Sequence, residues 1–207
     1  MPLDYKKKFN DIYKNNVYFF ANSIDLLQKQ LKCGAKIVQL RDKHLDDHSF
    51  CNLAKKMLNM VDDHDALLII NDRVDIALDI NAHGIHVGKE DESYKQVIKR
   101  APDNMIVGIS IDTVEEAIEA ENSGATYIGA GAVFPTLSKK DAYFMGLENL
   151  STIVDSVNIP IVAIGGISEN NILEVKNAGA KCFAIISDIN NAENIPDKII
   201  KIMRIIA

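Results

Sequence analysis

Short runs of apolar and β-branched residues recur along the chain. The runs are continuous rather than alternating, and they cover residues 17–21, 35–40, 67–70, 84–87, 105–109, 126–130, 159–164 and 181–186. Continuous runs of this length are typical of parallel strands that are covered on both faces. The pattern therefore predicts eight buried parallel strands.

Segments with helical spacing lie between the apolar runs. The clearest of them cover residues 23–32, 47–61, 113–122 and 168–177. A glycine stands between a helical segment and the next strand at Gly34, Gly84, Gly124 and Gly179. A left-handed helix end is easiest for a residue without Cβ, so we predict a helix cap at each glycine. Thr113 or Asp112, and Ser168, offer side-chain oxygens for helix starts.

The repeated strand and helix unit predicts the architecture. Eight strands with intervening helices and no linker-like stretch favour an α/β protein with a closed (β/α)8 TIM barrel over an open doubly wound sheet. We expect residues 1–207 to form a single barrel domain, with residues 1–16 as an N-terminal helical extension laid on the barrel.

Composition narrows the class of protein. Hydrophobic residues make up 47% and charged residues 25%, which is the balance of a globular protein. The formal net charge of -6, without a basic run, disfavours nucleic acid as a partner. No apolar run reaches bilayer length, so we expect no membrane partner and a cytoplasmic location. The three cysteines lack metal-site spacing. A homo-oligomer is plausible for a small barrel, although the sequence shows no apolar stripe that would mediate it.

A barrel places its active site at the carboxyl ends of its strands, and polar residues follow the predicted strands at those points. They are Gln39, Arg41, Lys43, Asn71, Asp72, Asp91, Ser110, Thr136, Ser138, Lys139 and Ser187, and Gly166 of the paired glycines stands at the same end. His86 lies inside a strand, so we expect a hydrogen-bonded barrel residue rather than a base. We interpret the other four histidines as surface residues.

Two of these groups have structural alternatives. Arg41, Asp72 and Asp91 could form ion pairs that close the barrel mouth. Gly165 and Gly166 could form a tight turn. Paired glycines after the seventh strand, followed by a short helix start, nevertheless favour a phosphate cradle.

Together the polar groups predict a site for two phosphorylated ligands. Two carboxylates, Asp72 and Asp91, suit a hard divalent cation such as Mg²⁺, which takes one or two carboxylates and completes its shell with water and phosphate oxygens. Arg41, Lys43 and Lys139 would neutralise the charge that builds on a leaving pyrophosphate. A second phosphate would occupy the cradle after strands seven and eight.

The motifs "QLRDK", "NDR", "GKED", "FPTLSKKDA" and "GGI" occur in this order within about residues 35–189. In sequence and spacing they resemble the signature blocks of the thiamine phosphate synthase family. The resemblance implies a Mg²⁺-dependent transferase with a (β/α)8 fold. Its two small-molecule substrates would be hydroxymethylpyrimidine diphosphate and hydroxyethylthiazole phosphate, and its products thiamine phosphate and pyrophosphate.

The resemblance also implies a role for each site residue. Arg41, Lys43, Ser110 and Lys139 would act on the diphosphate and the departing pyrophosphate, and Asp72 and Asp91 would hold the metal. The remaining substrate-binding positions would be Gln39, Asn71, Thr136, Ser138, Gly166, Ile186 and Ser187. The implied mechanism is dissociative, with a pyrimidine carbocation that the thiazole nitrogen captures. We interpret the loop after strand six as a lid that excludes water from this carbocation.

The chain departs from the family pattern at several positions. Asn22 stands where an aspartate is usual, Lys89 where glutamine is common, and Asp112 where histidine is frequent. Two alternative functions stay open: a thiazole tautomerase, whose proton-transferring histidine would lie in the block that reads "SIDT", and a non-catalytic barrel that binds a phosphorylated ligand.

Overall fold

Eight parallel strands close into a barrel in the order in which they occur in the chain. The computed structural model describes residues 3–136 and 144–207, so Ser138 and Lys139 lie outside the described residues. The strands are β1 (Asn16–Ala21), β2 (Ile37–Leu40), β3 (Leu67–Asn71), β4 (Gly84–Val87), β5 (Ile106–Ile111), β6 (Tyr127–Ala130), β7 (Ile161–Ile164) and β8 (Cys182–Ala184). Strand β1 pairs with β8 and closes the barrel. The predicted (β/α)8 fold is confirmed.

Helices pack around the barrel, and most of them connect successive strands. They are α1 (Tyr5–Ile12), α2 (Ile24–Lys32), α3 (Asp47–Asp62), α4 (Val74–Asp79), α5 (Tyr94–Arg100), α6 (Val114–Asn122), α7 (Gly146–Ser156), α8 (Ile172–Asn177), α9 (Ser187–Asn190) and α10 (Ile195–Ile206). One core cluster fills the space between strands and helices, and a second fills the barrel interior. Among the helices described here, none is long and apolar enough to cross a membrane.

Helix α1 covers the amino-terminal end of the barrel. Asp4 caps it by accepting a hydrogen bond from the Lys7 backbone N–H at 3.0 Å. Phe9 is fully buried in the interior cluster and stacks on Tyr127 with ring centroids 4.7 Å apart. Lys8 forms an ion pair with Asp65, which precedes β3. The predicted N-terminal helix therefore lies on the barrel at its amino-terminal end and closes that end.

Three of the four predicted glycine caps are present. Gly34, Gly124 and Gly179 have φ values of +90°, +90° and +97° after α2, α6 and α8. The prediction for Gly84 was wrong, because Asn81, with φ +52°, takes the left-handed position and Gly84 is the first residue of β4. A Cβ on Gly84 would lie 2.6 Å from the Ile106 Cβ, so close packing in the barrel explains this glycine.

Helix starts agree with the sequence in one place and differ in another. Thr113 caps α6 in a capping box with Glu116, as the pattern predicts. Ser168 does not cap a helix, because α8 begins four residues later, after Asn171. The carbonyl of Ser168 instead accepts hydrogen bonds from the N–H groups of Asn171 and Ile172 in a turn.

The interpretation of His83 as a surface residue was also wrong. Its side chain is buried just before β4, and its Nδ1 accepts a hydrogen bond from the Leu68 N–H at 3.0 Å. Its Nε2 lies 2.9 Å from an oxygen of Asp62, and Tyr5 of helix α1 packs on its ring. Burial lowers the pKa of His83, and the Asp62 carboxylate opposes this effect.

Candidate active site

A cavity of about 270 Å³ opens at the carboxyl ends of the strands. All of the predicted site residues within the described part of the chain line this cavity. They are Gln39, Arg41, Lys43, Asn71, Asp72, Asp91, Ser110, Thr136, Gly166, Ile186 and Ser187. The sequence therefore predicted which residues the fold brings together, while their chemical roles remain predictions.

Asp72 and Asp91 face each other across one side of the cavity. Asp72 follows β3 in a left-handed conformation with φ +62°, and its N–H donates to the His86 carbonyl at 2.9 Å. Asp91 lies in the loop after β4, where its Oδ2 accepts the Gly88 N–H at 2.7 Å. Desolvation, together with contact from the Asp91 carboxylate, raises the pKa of Asp72 to about 6. Lys43 opposes this rise.

The chemistry of this adjacent carboxylate pair suits a hard divalent cation. Two adjacent carboxylates repel each other when both are ionised, and a cation between them removes that repulsion. No group of three or more His, Cys, Asp or Glu side chains with metal-binding geometry occurs among the residues described. The protein would thus supply two carboxylates, and water or ligand oxygens would complete the shell, as is usual for Mg²⁺.

Arg41 and Lys43 supply positive charge beside this pair. Within the ranges 3–136 and 144–207, neither side chain forms an ion pair, and neither Asp72 nor Asp91 forms one. The interpretation of Arg41, Asp72 and Asp91 as structural ion pairs is therefore not supported by the described residues. Cations without a protein partner at a cavity wall are suited to an anionic ligand.

Lys89 is a cation of a different kind at the same rim. Its Nζ lies 2.6 Å from carboxylate oxygens of both Asp112 and Glu116. Glu116 also accepts the Asp112 N–H at 2.7 Å. Two departures from the family pattern, Lys89 and Asp112, therefore pair with each other and join the loop after β4 to the start of α6. Asn22, the third departure, is exposed and does not line the cavity.

A chain of hydrogen bonds crosses the barrel interior below the cavity. It runs from Gln39 Nε2 to the Tyr18 hydroxyl (3.0 Å), then to the Tyr127 hydroxyl (2.7 Å), His86 Nδ1 (2.9 Å) and, through His86 Nε2, Ser110 Oγ (2.9 Å). Burial lowers the pKa of His86 to about 4 and raises the pKa of both tyrosines, so these groups are neutral. The expectation that His86 is a hydrogen-bonded barrel residue is confirmed.

Sequence reasoning missed Tyr18 and Tyr127, which also line the cavity. A signal was present in Gly108, because a Cβ at that position would lie 2.4 Å from the Tyr127 hydroxyl oxygen. A glycine inside a strand often marks a place where another group approaches closely. Its partner, however, lies on the next strand and cannot be named from the sequence.

Gly165 and Gly166 form the opposite side of the cavity, after β7. Their φ values are +98° and +65°, and a Cβ on Gly165 would lie 2.5 Å from the Ala132 Cα. The glycines thus allow this turn to pack against the loop after β6. Within the described residues, the N–H groups of Gly166 and Ser187 have no hydrogen-bond partner, which leaves both for an anion.

These features define a (β/α)8 barrel whose open end carries facing carboxylates, together with cations and backbone N–H groups that have no partner among the described residues, as in enzymes that act on phosphorylated substrates. Residues 13–189 match the family described as thiamine monophosphate synthase. The chain therefore belongs to the thiamine monophosphate synthase family. Helix α1 lies before the matched range.

Individual relatives agree with the family. The thiamine-phosphate synthase of Clostridium tetani is 44% identical over 170 residues, which cover 82% of this chain and 81% of that protein. That of Pyrococcus furiosus is 41% identical over 172 residues, or 83% of each. The solved thiamine phosphate pyrophosphorylase from Pyrococcus furiosus has a TM-score of 0.87 at 37% identity, covering 94% of this chain and 96% of that one.

Proposed function

We propose that the protein is a thiamine-phosphate synthase that couples hydroxymethylpyrimidine diphosphate to hydroxyethylthiazole phosphate. The observation that carries the proposal is the pair of facing carboxylates, Asp72 and Asp91, beside Arg41 and Lys43, two cations that form no ion pair within the described residues. This charge pattern suits a diphosphate held through a metal, and the sequence relatives are synthases of this name.

The reaction breaks the bond between the pyrimidine methylene carbon and the diphosphate oxygen, and the electron pair leaves with pyrophosphate. The thiazole nitrogen then forms a bond to the methylene carbon. Arg41 and Lys43 stabilise the charge that grows on the pyrophosphate, and Ser110 donates a hydrogen bond to it. When it is held by Asp72 and Asp91, Mg²⁺ supplies Lewis-acid stabilisation of the diphosphate oxygens.

The substrates are held in line by the two sides of the cavity. Gln39 and Asn71, both at the carboxyl ends of neighbouring strands, bind the pyrimidine side. Gly166 and Ser187 bind the thiazole phosphate through backbone N–H groups, with Ile186 against it, and Thr136 approaches the thiazole. Two fixed reactants convert a bimolecular step into one that needs little further loss of entropy. Among the described residues the cavity offers no obvious nucleophile, which fits a dissociative path.

The loop after β6 completes the proposed site. Ser138 and Lys139 belong to it and lie outside the described residues. We assign Ser138 to substrate binding and Lys139 to the pyrophosphate, and we propose that the loop excludes water while the carbocation exists.

The two alternative functions have less support. A thiazole tautomerase would need a proton-transferring group in the block after β5, where Asp112 instead forms an ion pair with Lys89. A barrel that only binds a ligand has no leaving group to stabilise, so positive charge placed beside the carboxylate pair favours catalysis over binding alone. The relatives named above are synthases.

A product assay tests the proposal. The protein is mixed with both phosphorylated substrates and Mg²⁺, and thiamine phosphate and pyrophosphate are measured. We expect both products in equal amounts, and neither product when one substrate is left out. Isomerisation of the thiazole phosphate alone would support the tautomerase, and binding without any product would support the non-catalytic barrel.

A further inference from the structure

The buried chain of hydrogen bonds from Gln39 to Ser110 has a direction. We propose that Tyr18 and Tyr127 are positioning residues that hold His86 as its Nε2–H tautomer. His86 in turn positions Ser110, so that the Ser110 hydroxyl is a donor toward an anionic ligand. The inference that this ligand is pyrophosphate rests on the proposed function.

The direction follows from the donors and acceptors along the chain. In the amide orientation of the structure, Gln39 presents its Nε2 to Tyr18, and because this nitrogen can only donate, the Tyr18 oxygen accepts at that end. The Tyr18 O–H then donates to Tyr127, and the Tyr127 O–H donates to His86 Nδ1. His86 is left with its proton on Nε2, which donates to Ser110 Oγ.

The opposite direction would leave a buried group without a partner. If Tyr127 donated to Tyr18, the Tyr18 oxygen would accept twice, and its own O–H would have no recorded acceptor in the described structure. Tyr18 borders the cavity but is only 1% exposed, so solvent offers its O–H little compensation. An unsatisfied buried donor is costly, and the direction that satisfies every hydroxyl is therefore favoured.

Two glycines show that the barrel is built around this chain. A Cβ on Gly108 would lie 2.1 Å from the Tyr127 ring, and a Cβ on Gly129 would lie 3.1 Å from His86 Cε1. Gly108 therefore leaves the space that Tyr127 occupies, and Gly129 leaves room for the carbon between the two ring nitrogens of His86. Strands β5 and β6 therefore each have a glycine at the position where one of these rings packs.

The consequence reaches the cavity at Ser110. Because Ser110 Oγ accepts from His86, the Ser110 hydroxyl proton can point at a ligand inside the cavity that Ser110 lines. A hydroxyl that donates outward suits a phosphate oxygen, whereas a hydroxyl that donates to His86 does not. The tyrosines would then influence an anion that they do not touch.

The tautomer can be read directly from the protein without substrates. Nitrogen-15 NMR of histidine-labelled protein distinguishes a protonated ring nitrogen from an unprotonated one, and a His86→Gln variant assigns the signal. We expect Nε2 to be protonated and Nδ1 not. Tyr127→Phe removes the donor to Nδ1 and should allow the other tautomer to appear. Protonated Nδ1 in the wild type, or an unchanged spectrum in Tyr127→Phe, would overturn the proposal.

Two further variants guard this test against general damage to the fold. Tyr13→Phe removes a phenol hydroxyl that lies beside the same interior cluster but takes no part in this series of hydrogen bonds. It should leave the His86 signal unchanged. Tyr18→Phe removes the first hydroxyl of the hydrogen-bond chain but leaves the Tyr127 donor to His86 Nδ1 in place, and it is measured if Tyr127→Phe does not fold. Protonated Nε2 in Tyr18→Phe supports the proposal, and protonated Nδ1 contradicts it.

Calorimetry with inorganic pyrophosphate and MgCl2 tests the link to the ligand. We expect Ser110→Ala to weaken binding about tenfold. Tyr127→Phe should weaken it by a smaller factor and add little to Ser110→Ala in the double variant, because both act through one hydroxyl. Additive losses would contradict the proposal. A reversed tautomer in a protein that makes thiamine phosphate overturns this inference alone, whereas the expected tautomer in a protein that makes none overturns the proposed function alone.

Discussion

The two ends of the barrel use charged and aromatic residues in opposite ways. At the amino-terminal end, Phe9 fills the interior, and Lys8 pairs with Asp65. At the carboxyl end, Asp72 and Asp91 face each other, and the described residues leave Arg41 and Lys43 without a paired carboxylate. The charged groups at the amino-terminal end pair with each other, whereas those at the carboxyl end are placed to pair with a ligand. Residues that precede strands thus serve stability, and those that follow strands serve chemistry.

The largest effect, on stability, should come from the amino-terminal end of the barrel, which helix α1 closes. Phe9→Ala would leave a cavity beside Tyr127 and lower the free energy of unfolding by about 3–5 kcal/mol. Phe9 packs on the ring of Tyr127 but does not line the cavity, so the turnover number of the folded protein should change by less than about twofold. Urea unfolding and a product assay measure both quantities.

Leu3→Ala is the matched control, because Leu3 is 57% exposed at the same end. It should alter the free energy of unfolding by no more than about 0.5 kcal/mol. If Phe9→Ala lost turnover without losing stability, the closed end would have a catalytic role and the comparison would fail.

Removing a single carboxylate at the carboxyl end should have the reverse effect, with a large loss of activity and little loss of stability. Asp91→Ala should lower activity at low Mg²⁺ on the order of a hundredfold, roughly 2.7 kcal/mol of transition-state stabilisation. Part of this activity should return at high Mg²⁺. The free energy of unfolding should stay within roughly 1 kcal/mol of the wild type, because Asp91 is exposed on a loop.

Glu90→Ala removes the neighbouring carboxylate of the same loop and serves as the control. We expect a smaller loss with the wild-type dependence on Mg²⁺. An Asp91→Ala protein that melts much earlier than the wild type would instead indicate that the carboxylate is structural.

The proposed lid predicts a smaller catalytic effect. Lys139→Met should lower turnover at least about tenfold, or roughly 1.4 kcal/mol, because a cation near the leaving pyrophosphate is lost. Lys140→Met removes the adjacent lysine and should cost less. Steady-state kinetics of both variants measure this difference in turnover. Equal, minor losses in the two variants would contradict the assignment of Lys139 to the pyrophosphate.

The smallest effect concerns acid stability at the closed end. Burial lowers the folded-state pKa of His83 below its unfolded value, despite the opposing Asp62 carboxylate and with a small contribution from Lys8 in the same direction as burial. The stability that neutral His83 contributes is therefore present above its unfolded pKa, about 6.5, and is lost as pH falls through the folded pKa. Urea midpoints of the wild type and of His83→Gln should diverge between about pH 8 and pH 5. Parallel curves would contradict this assignment.

The sequence predicted the strands well because every strand of a buried parallel barrel is apolar on both faces. It also predicted the open-end residues, because the carboxyl ends of parallel strands share one end of the barrel. It failed at Gly84 and His83, whose surroundings are set by residues from other strands and from α1. Contacts such as that between Tyr18 and Tyr127 join residues far apart in the chain, and no local pattern records them.

The central claim is that the open end binds a diphosphate through a metal held by Asp72 and Asp91. Calorimetry of pyrophosphate binding, with Mg²⁺ and with excess chelator, tests it directly. We expect Mg²⁺ to tighten pyrophosphate binding at least about tenfold, or 1.4 kcal/mol of coupling free energy, and we expect Asp91→Ala to lose this gain while Arg41 and Lys43 retain a weak metal-independent affinity. Equal affinity of the wild type with Mg²⁺ and with chelator would contradict the account.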